Sequence, residues 1–279
     1  MFTKLSRKYW RVRKLSSREF KRFTGVKRQT FRLMIRLVKA EQKQKKKPGR
    51  PSKLIIEDQI LVTLQYWREY RTYFHISKDW KIAESTVYRL VRKIENILIK
   101  SRKFSLPGKK KLLDSSLDED LILMDVMESP IERPTKHQKR FYSGKQREHT
   151  LKTQVVFGQK SNQIICLAHS KGKMHDFKLF KNSQTKFHQF LKVIADKGYQ
   201  GIAKLHNLSE TPIKKSKKKK LTKDQKKYNR ELNRLRIAVE HVNRRLKIFK
   251  ILSFPYRNRH RRFGLRSNLI AGIYNYELA

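Results

Sequence analysis

The sequence predicts an α/β domain with a mixed sheet, preceded by an all-α region that holds a helix-turn-helix. Before Pro107, apolar residues recur every three or four positions, which is the period of an amphipathic helix. After Gly108, short apolar runs bounded by turn residues alternate with helical patterns, the order typical of an α/β domain. We therefore expect four units: an N-terminal helical region at 1–42, a basic linker at 43–54, a helix-turn-helix domain at 55–106 and an α/β domain at 107–279.

The N-terminal region predicts two amphipathic helices. Ser16 or Ser17 is a candidate cap for the first helix, and Gly25 is a natural end for it. The second helix is indicated by apolar residues at the spacing i, i+3, i+4 and i+7, namely Phe31, Met34, Ile35 and Val38.

A charged, turn-rich linker follows, with the sequence QKQKKKPGRPSK. Its Pro48-Gly49-Arg50-Pro51 core resembles an AT-hook, in which an extended arginine enters the minor groove of DNA at A·T steps. Arg50 is therefore a candidate DNA contact. A solvated linker that is merely basic is the alternative interpretation.

The segment from Glu57 to Lys100 shows the clearest helical period in the chain. A first helix is indicated by a stripe of apolar residues, and a short second element follows it. A third helix comes next, with Ser85 as its expected cap. A short helix, a tight connection and a second helix form the helix-turn-helix arrangement. In that arrangement the outward residues would face a major groove: Thr86, Arg89 and Arg92. A plain three-helix packing unit is the alternative.

The α/β region is predicted from short runs of apolar residues. A buried strand is expected at 121–126, a hairpin at 153–157 and 164–168, and another buried strand at 191–195. Asp176 is a candidate cap for a helix between the hairpin and that last strand. A long helix spanning roughly 222–251 completes the domain, with an apolar stripe that docks on the sheet.

The charge of the chain points to a polyanionic partner. A net charge of +47 and a pI near 10.6 favour binding by counterion release, with strong salt dependence. No apolar run approaches the roughly 18 residues of a membrane span, and the N-terminus lacks a secretory apolar core. The single cysteine excludes an internal disulfide framework and a cysteine-rich zinc site. These features suggest a cytoplasmic, nucleic-acid-bearing compartment.

Three carboxylates stand out in this basic chain. Asp125 and Asp196 each follow a short apolar run directly, and ligands gather beyond the carboxyl ends of strands in α/β sheets. Glu240 lies on the long helix, on an arc of about 60° that also carries Arg236 and Lys247. The alternatives are that each aspartate is a turn or cap residue, and that Glu240 forms ion pairs with arginines of its own helix.

Several separate segments carry a resemblance to a known family. They are SPIERPTKHQKRFYSGKQREHTLKTQVV, GKMHDFKLFKNS, IADKGYQG, KKKLTKDQKKYNRELNRLRIAVEHVNRRLKIFKIL and YRNRHRRFGLRSNLIAGIYNYEL. The stretch from Asp125 onward resembles the DDE transposases of bacterial insertion sequences, in the branch with an RNase H-like catalytic domain. The upstream stretch that ends in ESTVYR looks like the DNA-binding region of the same family.

The resemblance implies roles for individual residues. Asp125, Asp196 and Glu240 match the catalytic, metal-binding triad, and Arg236 and Lys247 match the family's helix motif as supporting residues. Asn233 stands where that motif has tyrosine. Asp176 is a further candidate supporting residue.

The same resemblance implies partners and cofactors. Two Mg²⁺ ions, or Mn²⁺, would serve cleavage and strand transfer on double-stranded DNA, at transposon ends and at target DNA. A homodimer on DNA would hold two ends, in a bacterial, nucleoid-associated location and with no membrane partner. Further basic and aromatic positions are candidate DNA contacts: Arg140, Tyr142, Lys145, Arg257 and Arg259. Solvated charged faces are the alternative for these positions.

Two rival functions stay open on the sequence. A catalytically inactive, transposase-derived regulator would bind DNA tightly without metal-dependent cutting. A general nucleic-acid structural protein would show weak sequence preference and equal affinity for RNA.

Overall fold

The computed structural model describes residues 7–44, 52–215, 220–258 and 260–278. The AT-hook-like segment with Arg50 lies outside the described residues, and so does Arg259. The predictions made for these two arginines therefore stay predictions.

Three short helices open the chain: α1 (Arg7–Lys14), α2 (Ser17–Thr24) and α3 (Arg28–Lys43). Of the two candidate caps for α2, Ser16 is the one used. Its side chain accepts from the backbone of Glu19, while the Glu19 carboxylate accepts from the backbone of Ser16 in a capping box. Gly25 ends the helix in the left-handed conformation at φ 83°, as predicted.

The next three helices are α4 (Ile56–Arg68), α5 (Tyr73–Trp80) and α6 (Glu84–Lys100). The connection between α5 and α6 is only three residues long, which gives the predicted helix-turn-helix arrangement. The predicted cap of α6 was wrong, because the helix begins at Glu84 with Ala83 in the capping position. Arg89 and Arg92 are exposed on α6 and Thr86 is half-buried.

A mixed sheet follows, formed by β1 (Leu121–Pro130), β2 (Tyr142–Ser143), β3 (Glu148–Gly158), β4 (Ile164–Lys171), β5 (Lys192–Ile194) and β6 (Ser209–Glu210). Strand β1 lies at its centre, antiparallel to β3 and parallel to β5. Strand β3 also pairs antiparallel with β2 and β4, and β5 pairs parallel with β6. The hairpin and the α/β class with a mixed sheet are confirmed, and the arrangement is that of an RNase H-like domain.

Helices α7 (Gln138–Phe141), α8 (Asp176–Ser183), α9 (Lys223–Lys247) and α10 (Phe263–Tyr276) complete the fold. The prediction that Asp176 caps α8 was wrong, because Asp176 is the first helical residue and His175 is in the capping position. Helix α9 starts at a capping box formed by Thr222 and Gln225. It ends four residues before the predicted boundary, and a 3-10 turn at Lys250–Leu252 follows. Within the described ranges, no helix has both the length and the apolar character needed to cross a bilayer.

The two faces of the sheet carry different hydrophobic clusters. One cluster packs Met124, Val156 and Phe180 on the side of α8. The other continues from β1 through α9 and α10 into the N-terminal helices. The helical region and the α/β region therefore share one apolar core, which fixes α6 relative to the sheet.

Candidate active site

Asp125 lies in the middle of β1 and not at its end. The strand continues to Pro130, so the prediction that Asp125 closes the strand was wrong. The parallel pairing of β1 with β5 stops at Leu123 and Ile194. Asp196, two residues beyond Ile194, is therefore level with Asp125 at the point where the two chains diverge.

Helix α9 connects these two carboxylates. The guanidinium of Arg236 donates to Oδ1 of Asp125 at 3.4 Å and to Oδ1 of Asp196 at 3.2 Å. Asn243, two turns further along the helix, donates through Nδ2 to Oδ2 of Asp125 at 2.9 Å. The structure thus brings Asp125, Asp196 and Arg236 together.

Sequence reasoning missed Asn243. A signal was present, because residues 236, 240, 243 and 247 fall within an arc of about 60° on an α-helix. An amide in a run rich in arginine is easily taken for a solvated residue. Its position on the arc of Arg236 and Glu240 was the usable clue.

Glu240 and Lys247 share that arc but make no contact with the aspartates. Both are exposed, and Glu240 follows Arg236 by one turn. Among the described residues, no group of three histidine, cysteine, aspartate or glutamate side chains is close enough to hold a metal ion. The helix therefore carries Glu240 on the same arc as Arg236, with its side chain exposed.

Burial dominates the electrostatics of Asp125. Burial raises the pKa of this carboxyl, the Arg236 guanidinium lowers it and the nearby Asp196 carboxylate raises it, and the net result is a pKa of about 6. Arg236 is thus the positive charge that makes the ionised pair tolerable.

Asp176 lies beside the turn that follows Asp196. A Cβ built on Gly198 of that turn would meet Oδ2 of Asp176 at 2.5 Å. Lys152 donates to Oδ1 of Asp176 at 2.8 Å and lies 3.8 Å from Glu128. Asp176 therefore belongs to a second cluster at the edge of the site, in which Lys152 lies between two carboxylates, and it can support the position of the Asp196 turn.

The side chains at the site suit a hard divalent cation. Carboxylate oxygens from two chain segments converge there, and oxygen ligands are what Mg²⁺ and Mn²⁺ prefer. Oδ1 of Asn243 and Nε of Arg236 are buried, and neither has a hydrogen-bond partner within the described ranges. An unpaired buried amide oxygen beside Asp125 is a further potential ligand, either to an ion or to its water.

The predicted DNA-contact positions lie on the surface. Arg140, Tyr142 and Lys145 are exposed around α7 and β2, on one flank of the sheet. Arg257 is half-buried, with its guanidinium 4.2 Å from the ring centre of Tyr70 in the connection between α4 and α5.

Comparison with known proteins covers both regions of the chain. Residues 124–275 match the family model of the DDE superfamily endonucleases, and residues 52–104 match the helix-turn-helix of DDE superfamily endonucleases. No solved structure matches the chain.

Two relatives agree with these matches. The chain is 71% identical over 269 residues to the probable transposase for insertion sequence element IS702 from Microchaete diplosiphon. This match covers 96% of this chain and 98% of the relative. It is 23% identical over 233 residues to a Streptomyces albus G protein whose name ties it to transposition of insertion sequence element IS112, covering 82% of this chain and 84% of the relative. The chain therefore belongs to the insertion-sequence transposases, enzymes whose catalytic domain is a DDE superfamily endonuclease.

Proposed function

We propose that this transposase binds the terminal repeats of its insertion sequence and catalyses metal-dependent cleavage and strand transfer at Asp125, Asp196 and Glu240. The observation that carries the proposal is the bridge of Arg236 between Asp125 and Asp196, made from the helix that also presents Glu240. DDE endonucleases use divalent metal ions as a class, and Mg²⁺ is the ion we propose here.

Asp125 and Asp196 would hold the ions, with Glu240 completing the set from α9. When bound, two such ions activate a water or a DNA 3′-hydroxyl and stabilise the leaving oxygen. The chain's own contribution is positional. Asn243 fixes one oxygen of Asp125 by its 2.9 Å hydrogen bond, which leaves the other oxygen beside Arg236 and Asp196.

Arg236 and Lys247 supply positive charge on the same face of α9. Arg236 offsets the repulsion between the two aspartates, and Lys247 is exposed and available to a DNA phosphate. Cleavage and joining both add negative charge at the phosphate in the transition state, which nearby cations stabilise. Asp176 supports the Asp196 turn from the side of Lys152.

Helix α6 would read the terminal repeat in a major groove. Its exposed Arg89 and half-buried Thr86 lie near the N-terminal end of the helix, the end that contacts base edges in helix-turn-helix proteins. Arg140, Tyr142 and Lys145 would contact DNA beside the sheet. Two DNA ends must be joined to the target, so we propose that a homodimer assembles on DNA.

The test compares two matched substitutions of aspartate on a supercoiled plasmid that carries the flanking DNA of the gene. Asp196→Ala should abolish Mg²⁺-dependent nicking at the element ends, because a metal ligand is lost, while DNA affinity stays within about twofold. Asp118→Ala removes an aspartate that is 87% exposed and forms an ion pair with Lys160, and this variant should cut normally. Specific binding by the wild-type chain without any nicking would instead identify a catalytically inactive regulator.

A further inference from the structure

A cavity of about 320 Å³ lies between the helix-turn-helix region and the segment that leads into α10. Its walls carry five arginines and no acid: Arg92, Arg257, Arg261, Arg262 and Arg266. Tyr73, Tyr88 and Asn258 complete the lining. Since one water occupies about 30 Å³ of liquid, the cavity has room for a phosphate group and several waters.

The arginines of this cavity are only partly neutralised. Arg262 donates to Oε2 of Glu95 at 2.7 Å, and Arg266 donates to Oε1 of the same carboxylate at 2.6 Å. Glu95 is fully buried behind the cavity wall, and its carboxylate is the counter-charge of Arg262 and Arg266. Five guanidiniums against one carboxylate leave an excess of four positive charges.

Neutral groups hold two of the remaining three arginines in place and leave their charge uncompensated. Arg257 donates to the backbone oxygen of Tyr70 and stacks on its ring, and Arg92 donates to the hydroxyl of Tyr88. Arg261 is exposed, and its guanidinium makes no hydrogen bond to any residue that the structure describes. Pre-oriented guanidiniums with free N–H groups are suited to phosphate oxygens, which they can bind through two hydrogen bonds.

The position of the cavity relates it to the candidate active site. Tyr256, next to Arg257, forms an isolated parallel β-bridge with Ile131, which follows the end of β1 and lies six residues beyond Asp125. At about 3.4 Å per residue, Ile131 lies roughly 20 Å from Asp125, and Arg257 of the cavity follows its bridge partner Tyr256 directly. A B-form duplex rises about 3.4 Å per base pair, so one duplex end can reach both places over about six base pairs.

We propose that this cavity binds a backbone phosphate of the transposon end, about six base pairs from the cut. One wall of the cavity belongs to the helix-turn-helix region and the other to the α/β region. One phosphate contact would therefore orient both regions on the same duplex. The proposal rests on the proposed function, because the relevant duplex is the substrate of the DDE site.

The first experiment measures the affinity for a fluorescent end duplex as a function of salt. Arg261→Gln should reduce the slope of log K against log[salt] by about 0.9, which corresponds to about eightfold weaker binding at 0.1 M salt. Arg261→Lys keeps the charge and should keep the slope. Arg18→Gln, on α2 and exposed, is the matched control for the loss of one charge and should leave the slope unchanged.

A second experiment locates the phosphate. Single methylphosphonate linkages are placed along the end duplex, each removing one backbone charge. In the wild-type protein one position, about six base pairs from the cut, should weaken binding, and the same position should have no further effect in Arg261→Gln.

Three results would overturn the proposal. An equal decrease in the slope of log K against log[salt] for Arg261→Gln and Arg18→Gln would mean that Arg261 contributes only to the overall positive field of the protein. Thermal stabilisation of the wild type, but not of Arg261→Gln, by inorganic phosphate with an unchanged DNA slope would identify a site for small anions. Absence of a position-dependent methylphosphonate effect would exclude a fixed phosphate. Nicking by the wild type is scored separately, so failure of the catalytic proposal is distinguishable from failure of the cavity.

Discussion

Removing the charge of Glu95 should destabilise the whole chain. Glu95 has 0% of its side chain exposed, and its carboxylate accepts from three donors: Arg266 at 2.6 Å, Arg262 at 2.7 Å and Trp67 at 3.1 Å. In Glu95→Gln, the new amide places a donor against the guanidinium of Arg262, and Arg266 stays buried without a counter-charge. Breaking a buried ion pair by removing one partner costs about 3–5 kcal/mol of the free energy of unfolding.

This cost converts into a measurable melting temperature. An unfolding entropy of about 2.1 cal/mol/K per residue, over 279 residues, predicts a decrease of about 5–9 °C if the chain unfolds in one transition. The assay is thermal unfolding followed by circular dichroism at fixed ionic strength. Because Glu95 lies on α6 and Arg266 on α10, the transition reports on the contact between the recognition and catalytic regions.

A double variant separates the ion pair from the general cost of a core substitution. Arg266→Met removes the buried cation, so Glu95→Gln in that background should cost at least 2 kcal/mol less than in the wild type. Arg262→Gln, with 19% of its side chain exposed, is the milder control and should cost about 1 kcal/mol. A melting temperature of Glu95→Gln within 1 °C of the wild type, or additive effects in the double variant, would refute the reasoning.

Two further predictions concern the site and the core. Asn243→Ala should slow Mg²⁺-dependent cleavage by about 10- to 100-fold, because Asp125 loses the partner that orients it. Single-turnover cleavage and DNA affinity measured together check this, and an equal loss of both would contradict it. Gly272→Ala should destabilise the chain by more than the about 1–3 kcal/mol typical of overpacking, since its Cβ would lie 1.9 Å from the backbone oxygen of Phe104. Urea unfolding measures the change, and an unaltered midpoint would show that the loop at Phe104 gives way.

The sequence predicted the elements whose signals are local. The cap at Ser16, the hairpin of β3 and β4, and the helix-turn-helix follow from spacing and turn residues within about twenty positions. The extent of β1 could not be predicted in this way, because the apolar run is interrupted at Asp125 and ends before Glu128, Ser129 and Pro130. Glu128 continues the strand since it faces Lys152 on β3, and Ser129 donates to the backbone oxygen of Leu252. Both partners are distant in sequence, so the apolar run appeared to stop too early.

The candidate site shows the same division between local and distant information. The positions of Asp125 and Asp196 after apolar runs pointed to one sheet edge, and the helical arc pointed to Arg236. The hydrogen bond of Asn243 depends on how closely α9 packs against the sheet, and the apolar periodicity of the helix does not specify that distance. The exposed orientation of Glu240 depends on side-chain rotation and could not be predicted from the helical arc.

We propose that the geometry of Arg236 allows one helix to serve both folding and catalysis. Its distances to Asp125 and Asp196, 3.4 and 3.2 Å, exceed the about 2.7–2.9 Å of a strong charge-assisted hydrogen bond. A loose bridge still reduces the repulsion between two half-buried carboxylates, because the Coulomb energy falls only as the inverse of distance. The loose bridge also costs less free energy to rearrange than a tight bidentate pair would. The guanidinium can therefore hold the aspartates together in the free protein and turn toward a phosphate when DNA enters, while Asn243 keeps Asp125 in place.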